Sequence, residues 1–182
     1  ERGLVRVLHS LSFVDDPTRM IRAVRFEQRF GFAIEARSLQ LMGEARPLLD
    51  RLTGERLRHE IDLILDEARA PAMLGRLAEL RLLEALKLEL PWEDAIHWRL
   101  EAGLSAQVPV EWLGSGWGMG GVPQRRALGY LLWLSGLPES ALRRIASRLR
   151  LPAALGRALC LASALRADLP GVLGAKPSVW AR

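Results

Sequence analysis

One cysteine, Cys160, occurs among 182 residues, which excludes an internal disulfide framework and a cysteine-rich zinc site. It sits in an apolar helical pattern and reads as inert. His9, His59 and His97 are scattered, without metal-ligand spacing. Asp-x-Asp, a spacing that suits paired divalent metals on a strand, occurs nowhere. Lysine is scarce: Lys87 and Lys176 stand against 24 arginines, a ratio that codon usage alone can produce. No run approaches the ~20 apolar residues of a membrane helix, and the opening Glu1-Arg2-Gly3 does not read as a signal peptide. The glycine-rich stretch Gly114–Gly121 runs into Val122-Pro123, where a phosphate loop would carry Lys-Ser or Lys-Thr. It reads as a connection between helical subdomains. These absences leave a soluble, cytoplasmic chain with no membrane partner.

What is present is apolar and basic. At 49% hydrophobic and 26% charged residues, the chain has material for a buried core in one domain or two small ones. The net charge of +5 is unevenly spread: residues 1–60 carry 11 basic and 9 acidic side chains, 61–100 carry 5 and 8, and 101–182 carry 10 and 4. A basic distal third suits a phosphate-binding surface, and equally suits well-solvated helices.

The periodicity is helical. Leu57, Ile61, Ile64 and Leu65 share a face, as do Met73, Leu74, Leu77 and Leu80, then Leu142, Ile145 and Leu149, and Leu155, Leu159, Ala162 and Leu165. Pro17, Pro71, Pro91, Pro138 and Pro152 each stand just before such a run, where a missing N–H costs nothing. An all-α fold of about seven to nine helices follows. One stretch alternates like a strand, Leu4-Val5-Arg6-Val7-Leu8, and nothing after it is expected to pair with it. It is therefore expected to end a sheet lying upstream. Lys176-Pro177-Ser178-Val179-Trp180 reads as a helix start close to the last residue. Both ends suggest a piece of a longer protein.

The densest chemistry runs from Asp15 to Phe32. Asp16 suits an N-cap, Pro17 the first helical position and Gly31 the residue after the helix. At about 100° per residue, Arg19, Arg22, Arg25 and Arg29 fall within one arc of about 120°, opposite Met20, Ile21 and Val24. Such a stripe repels itself and invites an anion. Asp16 and Arg19, across the first helical turn, pair an acceptor with a donor. Adenine and cytosine offer an amino group beside an unprotonated ring nitrogen, which matches that pair; guanine and uracil offer the reverse. The other arginines would be left for a triphosphate. The plainer alternative, an Asp that only caps and arginines that only solvate, stays open from spacing alone.

His9-Ser10-Leu11-Ser12-Phe13 followed by DDPTRMIRAVRF resembles the bacterial-type (class II) tRNA nucleotidyltransferase and poly(A) polymerase family, in which a strand ending IRVLHPLSF leads into EDPxRxxRAxRF. Gly54-Glu55-Arg56-Leu57-Arg58-His59-Glu60 resembles that family's following ERxxxE motif, about 40 residues on. The resemblance covers about residues 3–66. It implies that Asp16 and Arg19 read the base, that Arg22 and Arg25 contact nucleotide phosphates, and that Asp15, Glu55, Arg56 and Glu60 brace the neck. Asp15 stands where the family usually has Glu and reaches one methylene less far. Ser10 replaces a common Pro. The family's metal-binding carboxylates belong to an α/β head, of which Leu4–Leu8 would be the last strand.

The resemblance thus implies head strand and linker over 1–13 and neck over 14–66; beyond it, the glycine-rich boundary and the charge divide a helical body over 67–121 from a basic region expected to bind RNA over 122–182. Arg143, Arg144, Arg148 and Arg150, in a stretch with a helix-turn-helix look, are the candidates for RNA phosphates. The six tryptophans read first as packing, although any could stack on a base. The function implied is selection of ATP, or of CTP and ATP, for template-independent addition to a tRNA 3′ end, with Mg2+ held by the head and no activity in this piece alone. Poly(A) synthesis shares the same neck, and a non-catalytic RNA- or DNA-binding helical module is the alternative of another class.

Overall fold

The structure, a computed structural model, describes residues 3–106 and 119–173, with side chains through Asp168. The first five residues of the Gly114–Gly121 stretch, 114–118, lie outside the described residues, as do Trp112 and Lys176–Trp180. Among the described residues the chain is helical: α1 (Ser12–Asp15), α2 (Thr18–Phe30), α3 (Ala36–Ala45), a 3-10 helix (Arg46–Arg51), α4 (Gly54–Leu65), α5 (Ala70–Glu79), α6 (Leu82–Ala85), α7 (Asp94–Ser105), α8 (Gln124–Leu134), α9 (Glu139–Arg148) and α10 (Ala153–Leu173). Two of these, α1 and α6, are single turns of 4 residues, too short to leave a period in the sequence, which accounts for a count above the expected range.

The strand expectation is corrected. Only Leu4–Val5 is strand (β1), and it pairs in parallel with Ala33–Ile34 (β2), which follows α2. Gly31 makes this return possible. At φ 64° it ends α2 in the left-handed conformation, its N–H bonded to the Glu27 carbonyl, and throws the chain back beside β1. A two-residue strand leaves no alternation to detect.

α4 packs on α2, α5 and α8, α5 on α2 and α7 as well, while α9 and α10 pack on each other and α10 on α8. The apolar face of α4, Leu57, Ile61, Ile64 and Leu65, is buried as the period requires. The α5 and α9 faces are buried likewise, except half-buried Leu80. Leu165 departs: it is 69% exposed, beside exposed Leu161, whereas Leu155 and Leu159, about three and two turns earlier, are covered. Trp133 is fully buried and donates its indole N–H to the Pro91 carbonyl at 2.8 Å, whereas Trp98 is exposed.

The acids at the end of α4 are cross-links to α8. Asp62 accepts from Tyr130 Oη at 2.9 Å and from Arg126 at 3.3 Å, and Asp66 takes the same guanidinium at 2.6 Å. Burial raises the Asp62 carboxyl, opposed by Tyr130, Arg126 and Arg58. Tyr130 is itself fully buried, with its phenol pushed well up by that burial and by Asp62. Tyr130→Phe leaves one oxygen of a half-buried carboxylate without its donor, so urea unfolding at neutral pH should show a loss of about 1–3 kcal/mol. Because the folded-state pKa of Asp62 lies above its unfolded value, the loss should shrink as pH falls through that raised value and the carboxyl becomes neutral.

Candidate functional site

α1 and α2 meet at Asp16, and the geometry of that corner is set by its carboxylate. Asp16 is extended (φ −145°, ψ 96°), and Pro17 is already helical at φ −61° before the first assigned residue of α2, Thr18. Asp16 Oδ1 accepts the Thr18 N–H at 3.1 Å and the Thr18 hydroxyl at 2.7 Å. Capping is therefore done by Asp16, one residue ahead of the assigned boundary. A third donor reaches the same oxygen from α4: Arg56, at 2.7 Å. Burial tends to raise the Asp16 carboxyl, but the Thr18 hydroxyl and N–H, then the charges of Arg56 and Arg19, together hold it below the ordinary carboxylate range. It is an anion at neutral pH, able only to accept. Oδ2 has no partner among the described residues.

Arg19 does not form an ion pair with Asp16. One of its guanidinium nitrogens donates to the Ser12 carbonyl at 3.3 Å, tying α2 back to α1 and leaving the head of the side chain exposed. Arg19 and Arg22 line a cleft of about 340 Å³ with Val5, His9, Phe26 and Ser38. Arg22 is exposed and has no ion pair or hydrogen bond among the described residues.

The rest of the arginine stripe is neutralised from inside the protein. Arg25 lies between Glu60 (3.9 Å) and Glu67 (3.8 Å), and Arg29 reaches Glu67 at 3.2 Å. Arg25 is only 11% exposed, with its guanidinium over the Phe26 ring. Burial raises the Glu60 carboxyl against the opposing charges of Arg25 and Arg22. The Arg25 Nε and Glu60 Oε2 atoms are buried without a hydrogen-bond partner, so this pair is held by charge rather than by good geometry. Arg19 and Arg22 thus face the cleft, which Asp16 does not line, while Arg25 turns to α4.

Of the neck residues, Arg56 and Glu60 contact α2 as described, Glu55 pairs with Arg150 at 2.8 Å, and Asp15 stands 3.8 Å from the His9 imidazole. The four distal arginines are all engaged within the chain. Arg143 bonds Glu139 at 2.8 Å, Arg144 bonds Glu89 at 2.7 Å, and Arg150 bonds Glu55. Arg148 turns inward to the carbonyls of Asp50 and Leu52. Arg143, Arg144 and Arg150 remain exposed; Arg148 is half-buried. Sequence reasoning missed Thr18, whose signal is a hydroxyl two residues after a capping Asp, and the buried Glu27–Arg76 pair at 2.9 Å. Glu27 also accepts the Ile34 N–H at 3.2 Å, so it locks α2, α5 and β2 together.

The carboxylates present do not fit a divalent metal. Among the described residues no three His, Cys, Asp or Glu side chains gather into such a site, and the closest acids are occupied by Arg25, Arg29 and Arg126. Nor is any helix among the described residues long and apolar enough to cross a membrane.

Known proteins share parts of this chain. The family described as "Probable RNA and SrmB- binding site of polymerase A" matches residues 31–92. An A-adding tRNA nucleotidyltransferase of Geobacter sulfurreducens is 46% identical over 88 residues, which is 47% of this chain and 10% of that protein. The solved complex of a CCA-adding enzyme with ATP superposes with a TM-score of 0.73 at 30% identity, covering 94% of this chain and 39% of that one. The Thermotoga maritima CCA-adding enzyme complexed with tRNA gives 0.72 at 30% identity, over 94% and 40%. The chain therefore spans well under half the length of these proteins. In its motifs and its helical architecture the chain is thus similar to part of the bacterial-type tRNA nucleotidyltransferases.

Proposed function

We propose that this chain is the nucleotide-selecting and tRNA-binding part of a template-independent tRNA nucleotidyltransferase that adds A, or C and A, to the tRNA 3′ end. The observation that carries the reading is the unequal use of the two Asp16 oxygens. Oδ1 holds three donor groups, and Oδ2 is left open among the described residues. A carboxylate fixed in this way accepts the amino hydrogen of adenine or cytosine and repels the carbonyl of guanine or uracil. Arg19, one turn on, supplies the complementary donor for the unprotonated ring nitrogen. Arg22, exposed in the cleft and unpaired, is the guanidinium available to phosphates. Arg25, already neutralised by Glu60 and Glu67, serves to hold α2 on α4.

In this reading ATP, and CTP where both bases are added, are substrates, and tRNA is the acceptor. Mg2+ and the chemistry of transfer belong to a head domain upstream in the parent chain. The 182 residues alone should transfer no nucleotide. The identity to an A-adding relative supports A addition. The exposed Arg143, Arg144 and Arg150 are the residues proposed to meet RNA phosphates, and should do so in a salt-dependent manner.

The direct test is incorporation by the full-length protein with magnesium, on tRNAs lacking CCA, lacking only the terminal A, and complete. Extension only of the tRNA lacking A is expected of an A-adding enzyme, and growth of the shortest through all three positions of a CCA-adding one. Tails on complete tRNA would identify a poly(A) polymerase. No incorporation by a folded protein would contradict the reading in favour of a nucleic-acid-binding module.

In the same assay Asp16→Ala should lower the preference for ATP over GTP by at least about tenfold, the ratio set by ~1.4 kcal/mol. Arg56→Ala should move the Asp16 carboxyl back up toward the ordinary value of about 3.9, read by NMR titration. Because that carboxyl is depressed in the folded chain, its contribution to stability is full above about pH 4 and is lost as pH falls through the folded value. Arg56→Ala should reduce that acid-range dependence.

A further inference from the structure

The C-terminal end of α9 is clamped onto the start of α4, and the clamp surrounds the residue that holds Asp16. Arg148 sends one guanidinium nitrogen to the carbonyls of Asp50 (3.2 Å) and Leu52 (2.6 Å), in the segment leading into α4. Its own carbonyl abuts Gly54 so closely that any Cβ there would be driven into backbone. Arg150, left-handed at φ 50°, pairs with Glu55 at 2.8 Å and offers its carbonyl to Arg58. Residues 50, 52, 54, 55 and 58 are thus all gripped from one side, and Arg56 in their midst reaches the other way, to Asp16.

The contacts are not equal. The Arg150–Glu55 pair is solvent-exposed on both sides and screened, so it holds little. Arg148 is half-buried, its acceptors are backbone carbonyls that cannot rotate away, and the glycine opposite leaves no slack. Movement of Arg148 therefore becomes movement of the first turn of α4, and with it of Arg56. A displacement of about 1 Å in a positioning group is enough to degrade a site's selectivity.

We propose that Arg148 is a positioning residue for nucleotide selection, acting through the first turn of α4 and Arg56 on the Asp16 carboxylate. This rests on the reading of Asp16 given above. It removes Arg148 from the RNA-contacting set and gives the body of the molecule a mechanical hold on the selector.

The test uses the full-length protein and compares kcat/KM for ATP with that for GTP, beside the Kd for tRNA. Arg148→Ala should lower the ATP-to-GTP ratio about tenfold, chiefly through a higher KM for ATP, with the tRNA Kd changed by less than about twofold. Arg148→Lys keeps the charge on a shorter side chain without the planar guanidinium, and should fall between. Gly54→Ala forces the same junction apart with no change of charge, and should act in the same direction. Circular dichroism and melting establish that each variant is folded; if Arg148→Ala is not, the other two decide. An unchanged ratio in folded Arg148→Lys and Gly54→Ala would overturn the proposal, as would a loss of tRNA affinity with the ratio intact. Asp16→Ala separates the two readings: if it abolishes discrimination while the Arg148 and Gly54 variants keep it, only the positioning role fails. If it keeps discrimination, nucleotide selection by Asp16 fails and the positioning role with it.

Discussion

The pairing of Arg56 with Asp16 is the interaction on which the neck depends. It joins the start of α4 to the corner between α1 and α2, at 2.7 Å, across 40 positions of sequence. As a half-exposed ion pair it contributes little to stability. Its weight is geometric. Two local donors from Thr18 already orient the carboxylate, and the third comes from α4, a helix that packs against α2 itself. The side chain that would read a base is therefore positioned by the fold rather than by its own short stem.

Charge is distributed to the same end. Four arginines on one face of α2 would repel one another, and the protein relieves only half of that repulsion. Glu60 and Glu67 on and just beyond α4 take Arg25 and Arg29, at the cost of burying carboxylates. Arg19 and Arg22 keep their positive potential at the cleft, where an anion can be drawn in. The buried, poorly bonded Arg25–Glu60 contact is a weak stabiliser at best, since desolvation offsets much of the attraction. It fixes the register of α2 on α4.

Much of this is legible in the sequence, and the part that is not shares a physical cause. The limits of α2 follow from Asp16, Pro17 and Gly31, whose roles are local and conformational. The buried faces of α4, α5 and α9 follow from period. Illegible were the choices of long charged side chains among distant partners: Arg25 with Glu60, Arg126 with Asp62, and Arg148 with the Asp50 and Leu52 carbonyls. No spacing encodes such pairings, because they are settled by how helices far apart in sequence come to lie together. The two-residue pairing of β1 and β2 escaped for want of length. Leu165 escaped because a helical face continues in sequence beyond the neighbours that cover it.

The central claim is that the Asp16 carboxylate reads the amino group of the base, and altering the base while leaving the protein intact tests it most directly. Inosine triphosphate presents a carbonyl and a ring N–H where ATP presents an amino group and a bare ring nitrogen; purine ribonucleoside triphosphate lacks the amino group alone. Measured as kcat/KM on tRNA lacking the terminal A, ATP should lead, the purine analogue should fall by roughly tenfold, and inosine triphosphate should fall furthest, because its carbonyl is left facing an open carboxylate oxygen. Inosine triphosphate incorporated as readily as ATP would contradict the account.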